Sequence, residues 1–320
     1  MVREFGDAPE VVDLTEIEIP GPGEGQVLVE MLASAINPSD LITISGAYRS
    51  RVALPFLPGF EGVGVVRSIG PGVTDLAVGT RVLPIGTAGS WSSHKLSESR
   101  WCFPVSDSLS EEQAATMYVN PLTAWLMLHD SASIDPGMTV IVDAAGSEIG
   151  RMLLALLNRA GVEPVAIVRS ASSANGIEGF ATKAVLVSSA PRFEEELDRA
   201  CPDRPDLVLD SVGGELGSVL RSRIAPGGRF IHYGLLSGEP LTPLPTGSAP
   251  DHRFEFFRLR DWVHRVEPTE IQAGLDRVGG LIAEGVIETR VDSTHALGRI
   301  DEALARHGDP GRNGKVLLRA

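Results

Sequence analysis

The stretch TVIVDAAGSEIGRMLLALLNRAG, Thr139 to Gly161, decides the fold. It opens on a short apolar run, TVIVDAA (139–145), of the kind buried on both faces of a parallel sheet. It closes as an apolar helix, GRMLLALLNRAG, ended by Gly161. The junction between them, DAAGSEIGRM, falls where a dinucleotide-binding fold places a G-x-G-x-x-G turn. Backbone amides at the helix start then face a pyrophosphate. Here the turn reads Ala145-x-Ser147-x-x-Gly150, and only the glycine that lets helix pack on strand is kept. An ordinary strand-to-helix turn is the competing reading; the surrounding pattern argues against it.

That pattern runs outward from the junction as strand, helix, strand, helix. The further strands are PVAIVR (164–169), KAVLVS (183–188), DLVLDSV (206–212) and RFIHYG (229–234). This alternation predicts a doubly wound α/β domain. A site for NAD usually places an acid at the end of the second strand, on the ribose hydroxyls. PVAIVRSASS instead ends in Arg169 and Ser170. A guanidinium holds a 2′-phosphate through charge-assisted hydrogen bonds, so the expected cofactor is NADPH. A solvated surface arginine is the alternative.

The first hundred residues have another texture. Val11 to Ile19 alternates weakly. QVLVEMLAS (26–34) follows the turn PGPGEG, FEGVGVVRSIG is broken by glycines, and Gly79 to Leu83 is a further strand. Glycine inside strands marks close backbone approach, as in a small curled barrel. Near Ser110 a helix starts, with Ser110 as N-cap and Gln113 at the capping-box position. Pro121 opens a second helix, LTAWLML. LSGEPLTPLPTGSAP, after Gly234, is a loop; Thr269 to Ala283 is an amphipathic helix and Lys315 to Arg319 a last strand.

At 320 residues the chain has length for two domains, and 43% hydrophobic residues supply a core for each. Lys+Arg 28 against Asp+Glu 42 leaves a net charge of -14, which argues against nucleic acid or an anionic membrane as partner. Cys102 and Cys201 build neither a disulfide framework nor a four-cysteine zinc site. His94, His129, His232, His252, His264, His295 and His307 are scattered without a cluster, so no metal is expected. MVREFGDAPE lacks an apolar signal core and no stretch approaches the ~18 apolar residues of a membrane span, so the expected location is cytoplasmic.

The order VNPLTA, AAGSEIGR, VRS, DSVGG, YG after a glycine-rich barrel resembles the medium-chain dehydrogenase/reductase superfamily. INPSDLITISGAY (Ile36 to Tyr48) and VNPLTAWLML (Val119 to Leu128) are similar to its zinc-free branch, above all NADPH-dependent 2-enoyl thioester reductases of the mitochondrial type, with quinone oxidoreductases next. The resemblance implies a GroES-like β-barrel catalytic domain, residues 1–116 with 263–320 returning to it. A Rossmann NADPH-binding domain, residues 117–262, would complete a homodimer acting on a small-molecule substrate. Zinc-using relatives carry Gly-His-Glu where this chain has Gly59-Phe60-Glu61, and phenylalanine cannot ligate zinc.

By the same resemblance Tyr48 is the acid beside the substrate carbonyl, or else a pocket wall. Arg49 follows it where the family often has proline. Asn120 lies near the cofactor; Gly146, Ser147, Glu148, Ile149 and Gly150 form the pyrophosphate turn; Arg169 and Ser170 form the 2′-phosphate patch. Tyr233, Gly234, Leu235 and Leu236 match the loop over the nicotinamide. FEFFRLRDW brings Phe257, Arg258 and Leu259 near cofactor and substrate, with Arg258 replacing a tryptophan. Lys315 matches a late lysine near the cofactor, or is a strand-edge lysine that discourages aggregation. Asp40 reads as a turn or N-cap residue and Glu61 as a structural acid. Trp91 either lines the pocket or packs the barrel.

The implied reaction is hydride transfer to the β-carbon of an alkene conjugated to a carbonyl, with stabilisation of the enolate and return of a proton. A quinone or enone reductase is the alternative within the superfamily. A non-catalytic NADPH-binding sensor or scaffold is the alternative outside it.

Overall fold

A computed structural model describes residues 1–50, 52–243 and 252–320. Most of the loop expected after Gly234 is described, but 244–250 lie outside those residues. The chain divides into two compact units, Met1–Val119 with Trp262–Ala320, and Asn120–Asp261. The divisions fall three residues after 116 and one before 262, because Tyr118 and Val119 are tied by their amides to Glu61 of the first unit.

The strands, in chain order, are β1 (Gln26–Ala35), β2 (Gly62–Ile69), β3 (Arg81–Pro84), β4 (His94–Glu98), β5 (Cys102–Pro104), β6 (Val140–Val142), β7 (Val165–Val168), β8 (Ala184–Val187), β9 (Leu207–Asp210), β10 (Arg229–His232), β11 (Arg253–Phe256), β12 (Val291–Ala296) and β13 (Lys315–Arg319).

In the first unit the sheet order is β12-β13-β1-β2-β3-β5, with β4 also paired to β1. All pairs are antiparallel except β12 with β13. The glycines of β2 let this sheet curl. A Cβ on Gly64 would stand 2.5 Å from the Glu30 carbonyl oxygen, and one on Gly62 2.8 Å from that of Ala33. The register of β1 against β2 shifts at Leu28/Val29 and again at Met31/Ala33, which marks bulges that bend the strands. Val27, Val29 and Met31 face the core beside Val66 and Val82. The Trp91 ring is buried with Ile36, Ile44 and Val316 and donates from Nε1 to the Ala35 carbonyl at 3.1 Å, so it packs the barrel. Val11 to Ile19 forms no strand; Val12 only bridges Val2.

The second unit is a parallel sheet of order β11-β10-β9-β6-β7-β8. Its sixth strand, β11, alternates polar and apolar residues in RFEF, but over only four positions. Ile141, Val165, Ile167, Val208 and Phe230 form the core against Phe193, Leu197 and Leu220. The helix Glu148–Arg159 buries Met152, Leu153, Leu154, Leu156 and Leu157. Helix Val119–Leu126 starts two residues before Pro121, whose missing N–H falls in the first turn and costs no intrahelical bond. The Ser110–Gln113 capping box is present, with Ser110 Oγ accepting from the Gln113 amide at 3.1 Å.

Candidate functional site

The second unit builds its site at the carboxyl ends of its strands. β6 and β9 are neighbours whose connections leave in opposite directions, which is the switch point where open α/β sheets hold ligands. The turn after β6 passes through Ala144, at φ 41, and ends in Ser147, the N-cap of helix Glu148–Arg159. Ser147 Oγ accepts from the Gly150 amide at 3.1 Å. The first amides of a helix have no partner inside it, and they point out of its N-terminus. Gly150 lies against the turn so closely that a Cβ there would be 2.5 Å from the Ala144 carbonyl oxygen. A Cβ on Gly146 would be 3.0 Å from the Ser173 carbonyl oxygen. The small residues let the turn pack tightly into the helix start, whose N-terminal amides suit a pyrophosphate, although only one of three motif glycines is present. Glu148 is an acid buried in that first turn, a departure from a purely neutral cradle.

One strand over, Arg169 follows β7 and is exposed. Beside it Ser170 Oγ is hydrogen-bonded to Ser172 Oγ at 2.9 Å and Ser173 Oγ at 3.0 Å. The hydroxyl cluster and guanidinium together suit a phosphate monoester. Ser172 and Ser173 went unread in the sequence; the S-A-S-S spacing was their only signal.

On the other side of β6, the loop after β10 carries Tyr233 to Leu236. It is laced to the loop after β9: the Tyr233 amide donates to the Asp210 carbonyl at 2.9 Å and the Leu236 amide to that of Ser211 at 3.0 Å. Leu235 and Leu236 are exposed. Phe257 is buried and its amide donates to the His232 carbonyl at 2.9 Å. Arg258 is paired with Asp261 and its guanidinium stands 5.0 Å from the Phe256 ring centroid. Leu259 opens the short helix Leu259–Val263, and Asn120 is half-buried in helix Val119–Leu126.

Tyr48 and Lys315 belong to the first unit. Tyr48 is half-buried in the turn after helix Pro38–Ile44. Gly46 shapes that turn at φ 88, and Arg49 closes it, with its amide and its Nε both donating to the Gly46 carbonyl. Asn37, not Asp40, caps the helix; Asp40 is the third helical residue of a capping box and accepts from the amides of Asn37 at 2.8 Å and Phe60 at 3.0 Å. Burial drives Asp40 up to about 7 against those two bonds. Glu61 accepts from Asn37 Nδ2 at 2.8 Å and from the amides of Tyr118 and Val119 at 2.9 and 2.7 Å. Burial raises its pKa too, opposed by the charge of Lys315. Lys315 is buried and donates to Asn37 Oδ1, so it is neither an edge lysine nor solvent-facing. Among the described residues no group of three or more His, Cys, Asp or Glu side chains gathers as a metal site. No helix of the described residues is long and apolar enough to cross a membrane.

Comparison with known proteins matches a segment within the first unit and a second segment that crosses from the second unit into the C-terminal part of the first. Residues 23–109 match the alcohol dehydrogenase GroES-like domain, and residues 180–318 match the family described as zinc-binding dehydrogenase. The mitochondrial enoyl-[acyl-carrier-protein] reductase of Dictyostelium discoideum is 30% identical over 304 residues, 91% of this chain and 85% of the relative. A Bacillus thuringiensis protein described as an NADPH:quinone reductase superposes with TM-score 0.92 at 30% identity, covering 100% of this chain and 97% of its own. The Escherichia coli quinone oxidoreductase, solved with NADPH, superposes with TM-score 0.91 at 23% identity over 100% of this chain and 98% of its own, and shares the fold. A barrel-like sheet joined to a doubly wound sheet, matched over nearly the whole length, places this chain in the medium-chain dehydrogenase/reductase family of oxidoreductases.

Proposed function

We propose that this chain is an NADPH-dependent reductase that delivers hydride to the double bond of an activated alkene, with 2-enoyl thioesters as the substrate class. The observation that carries the cofactor is the tight turn into the N-terminus of helix Glu148–Arg159, with Arg169 and three serine hydroxyls one strand away. When bound, NADPH supplies the hydride. The chain's own residues bind and orient: helix amides and Gly146 to Gly150 take the pyrophosphate, Arg169 and Ser170 the 2′-phosphate, and Tyr233 to Leu236 the nicotinamide end. Asn120, Phe257, Arg258 and Leu259 complete that wall. The Tyr48 hydroxyl donates to the substrate carbonyl oxygen as negative charge develops there, or returns the proton to the α-carbon.

The thioester preference is supported by the Dictyostelium relative and by the tyrosine at Tyr48. A second reading, quinone or enone reduction, is supported by the equal identity to the Bacillus protein. The chemistry needs no zinc, with Phe60 in the Gly-Phe-Glu segment and no clustered donors among the described residues. The thiols of Cys102 and Cys201, both free and buried, fit a cytoplasmic setting. β11 ends the parallel sheet with Phe254 and Phe256 exposed, an edge suited to pairing with a second copy as a homodimer.

NADPH oxidation with crotonyl thioesters, simple enones and quinones tests the proposal. Turnover led by the thioester supports it; turnover of quinones alone favours the second reading; binding of NADPH without turnover of any acceptor points to a sensor or scaffold.

A further inference from the structure

Three side chains outside the catalytic proposal line up across the carboxyl edge of the parallel sheet. Asp143 follows β6, Asp210 ends β9 and His232 ends β10. Strand register puts them side by side: Val142 pairs with Leu209, and Asp210 with His232. Asp143 and Asp210 are fully buried and His232 nearly so.

Their hydrogen bonds reach into the loops rather than into the core. Asp143 Oδ1 accepts from the Ser211 amide at 2.8 Å and from Ser211 Oγ at 3.2 Å. Asp210 Oδ1 accepts from the Gly213 amide at 3.0 Å, and Oδ2 pairs with His232 Nδ1. Asp143 Oδ2 meets no N–H donor. Asp143 is coupled to the buried Asp210 carboxylate, and of the two acids Asp143 is the one driven toward its neutral form. Burial and the Asp210 charge push Asp143 well above the ordinary carboxylate range. Burial would raise Asp210 as well, but the bonds from His232, Asp143 and the Gly213 amide outweigh it and hold Asp210 low.

The loops that this row fastens include the one assigned above to the nicotinamide end. A Cβ on Gly213 would meet the Leu235 side chain at 3.2 Å and the His232 ring at 3.3 Å, and one on Gly234 the Ser211 carbonyl oxygen at 2.7 Å. No slack is left between the 211–213 and 233–236 loops. With the adenosine end over β7 and the pyrophosphate at the turn after β6, a dinucleotide crossing this edge places its nicotinamide half over β9 and β10.

We infer that Asp143, Asp210 and His232 are positioning residues that hold the 211–213 and 233–236 loops in place for the nicotinamide half of NADPH. The inference rests on the cofactor reading above and adds residues to it. Both carboxylates are fully buried, so they act through the loop backbone.

The test compares binding of NADPH with binding of an adenosine 2′-phosphate fragment, by calorimetry, in Asp210→Asn, His232→Leu, His232→Asn and Asp143→Asn. Asp210→Asn leaves one oxygen for the donors that two oxygens served, and His232→Leu removes a charge-assisted bond. Each should weaken NADPH about tenfold or more and leave the fragment within about twofold. His232→Asn keeps a donor at the Nδ1 position, and Asp143→Asn keeps both the donor and the acceptor of a protonated acid. Both should bind NADPH within about twofold of the parent chain. Should Asp210→Asn fail to fold, the His232 pair carries the same comparison. Unchanged NADPH binding in His232→Leu, or equal losses for NADPH and fragment, overturns the assignment alone. A parent chain with no affinity for NADPH overturns the cofactor reading itself.

Discussion

The ammonium of Lys315 donates to the side-chain carbonyl of Asn37, 278 residues earlier in the chain. Asn37 passes the contact on, donating from Nδ2 to Glu61 at 2.8 Å and from its backbone amide to Asp40 at 2.8 Å. One buried cation thus faces two buried carboxyls through a neutral amide. The last strand of the chain is locked to helix Pro38–Ile44 by this network.

Removing the cation should therefore be felt as stability. Lys315→Met leaves Glu61 and Asp40 buried without their counter-charge, a loss of about 3–5 kcal/mol. Urea unfolding of the variant checks this. A stability change below about 1 kcal/mol together with weakened NADPH binding would move Lys315 from the barrel's network to the cofactor.

Arg169 should read the phosphate of the cofactor. Arg169→Ala gives up charge-assisted hydrogen bonds worth roughly 1.5–3 kcal/mol, so NADPH should bind about 10- to 150-fold more weakly. NADH should be much less affected. Titrations of both cofactors decide it, and equal losses for the two would show that Arg169 does not see the 2′-phosphate.

Acid should unfold the first unit partly through His307. Burial, with the charges of Arg312 and Lys315, lowers its imidazole from 6.5 to about 4. A ring whose folded pKa lies below its unfolded one contributes stability that is full above pH 6.5 and lost as pH falls through about 4. The gap is worth roughly 3 kcal/mol. His307→Gln cannot take up a proton, so its unfolding midpoint should fall less across that window than the parent's. Parallel curves for the two chains would assign the acid limb to other groups.

How far these sites were readable in the sequence depended on whether their signal was local. The β6 run, its turn and the following helix lie within Thr139 to Gly161, and Ser110 with Gln113 is a four-residue pattern, so both were legible. β13 came out with its ends in place because KVLLR is an apolar run after a glycine. β4 and β12 are strands whose residues, HKLSE and VDSTHA, are mostly polar; tertiary pairing with β1 and β13 makes them strands. The Asp143–Asp210–His232 row joins three separate strand ends. Its one trace was that VIVD and LVLD both end in aspartate, and strand order is needed to see that they are neighbours. Asp40 read as a turn residue because NPSD is a turn sequence; the capping role went to Asn37, whose side chain also had to reach Lys315 and Glu61.

Tyr48 is the proposed proton donor, and Tyr48→Phe deletes only its hydroxyl. Cofactor affinity should hardly change. Thioester turnover should drop by about 10²–10⁴, the range for a positioned acid, while a quinone, whose oxygens can take protons from water, should suffer less. A variant within about twofold of the parent on every alkene would make Tyr48 a pocket wall.

The central claim is hydride transfer from NADPH to an alkene carbon, and the fate of the hydride tests it most directly. The chain would be given NADPH carrying deuterium at the transferred position, together with crotonyl thioester, and the product analysed by mass spectrometry and NMR. The account predicts a saturated thioester with one deuterium on the β-carbon. NADPH consumed by quinones while the crotonyl thioester is recovered unreduced and unlabelled would contradict it.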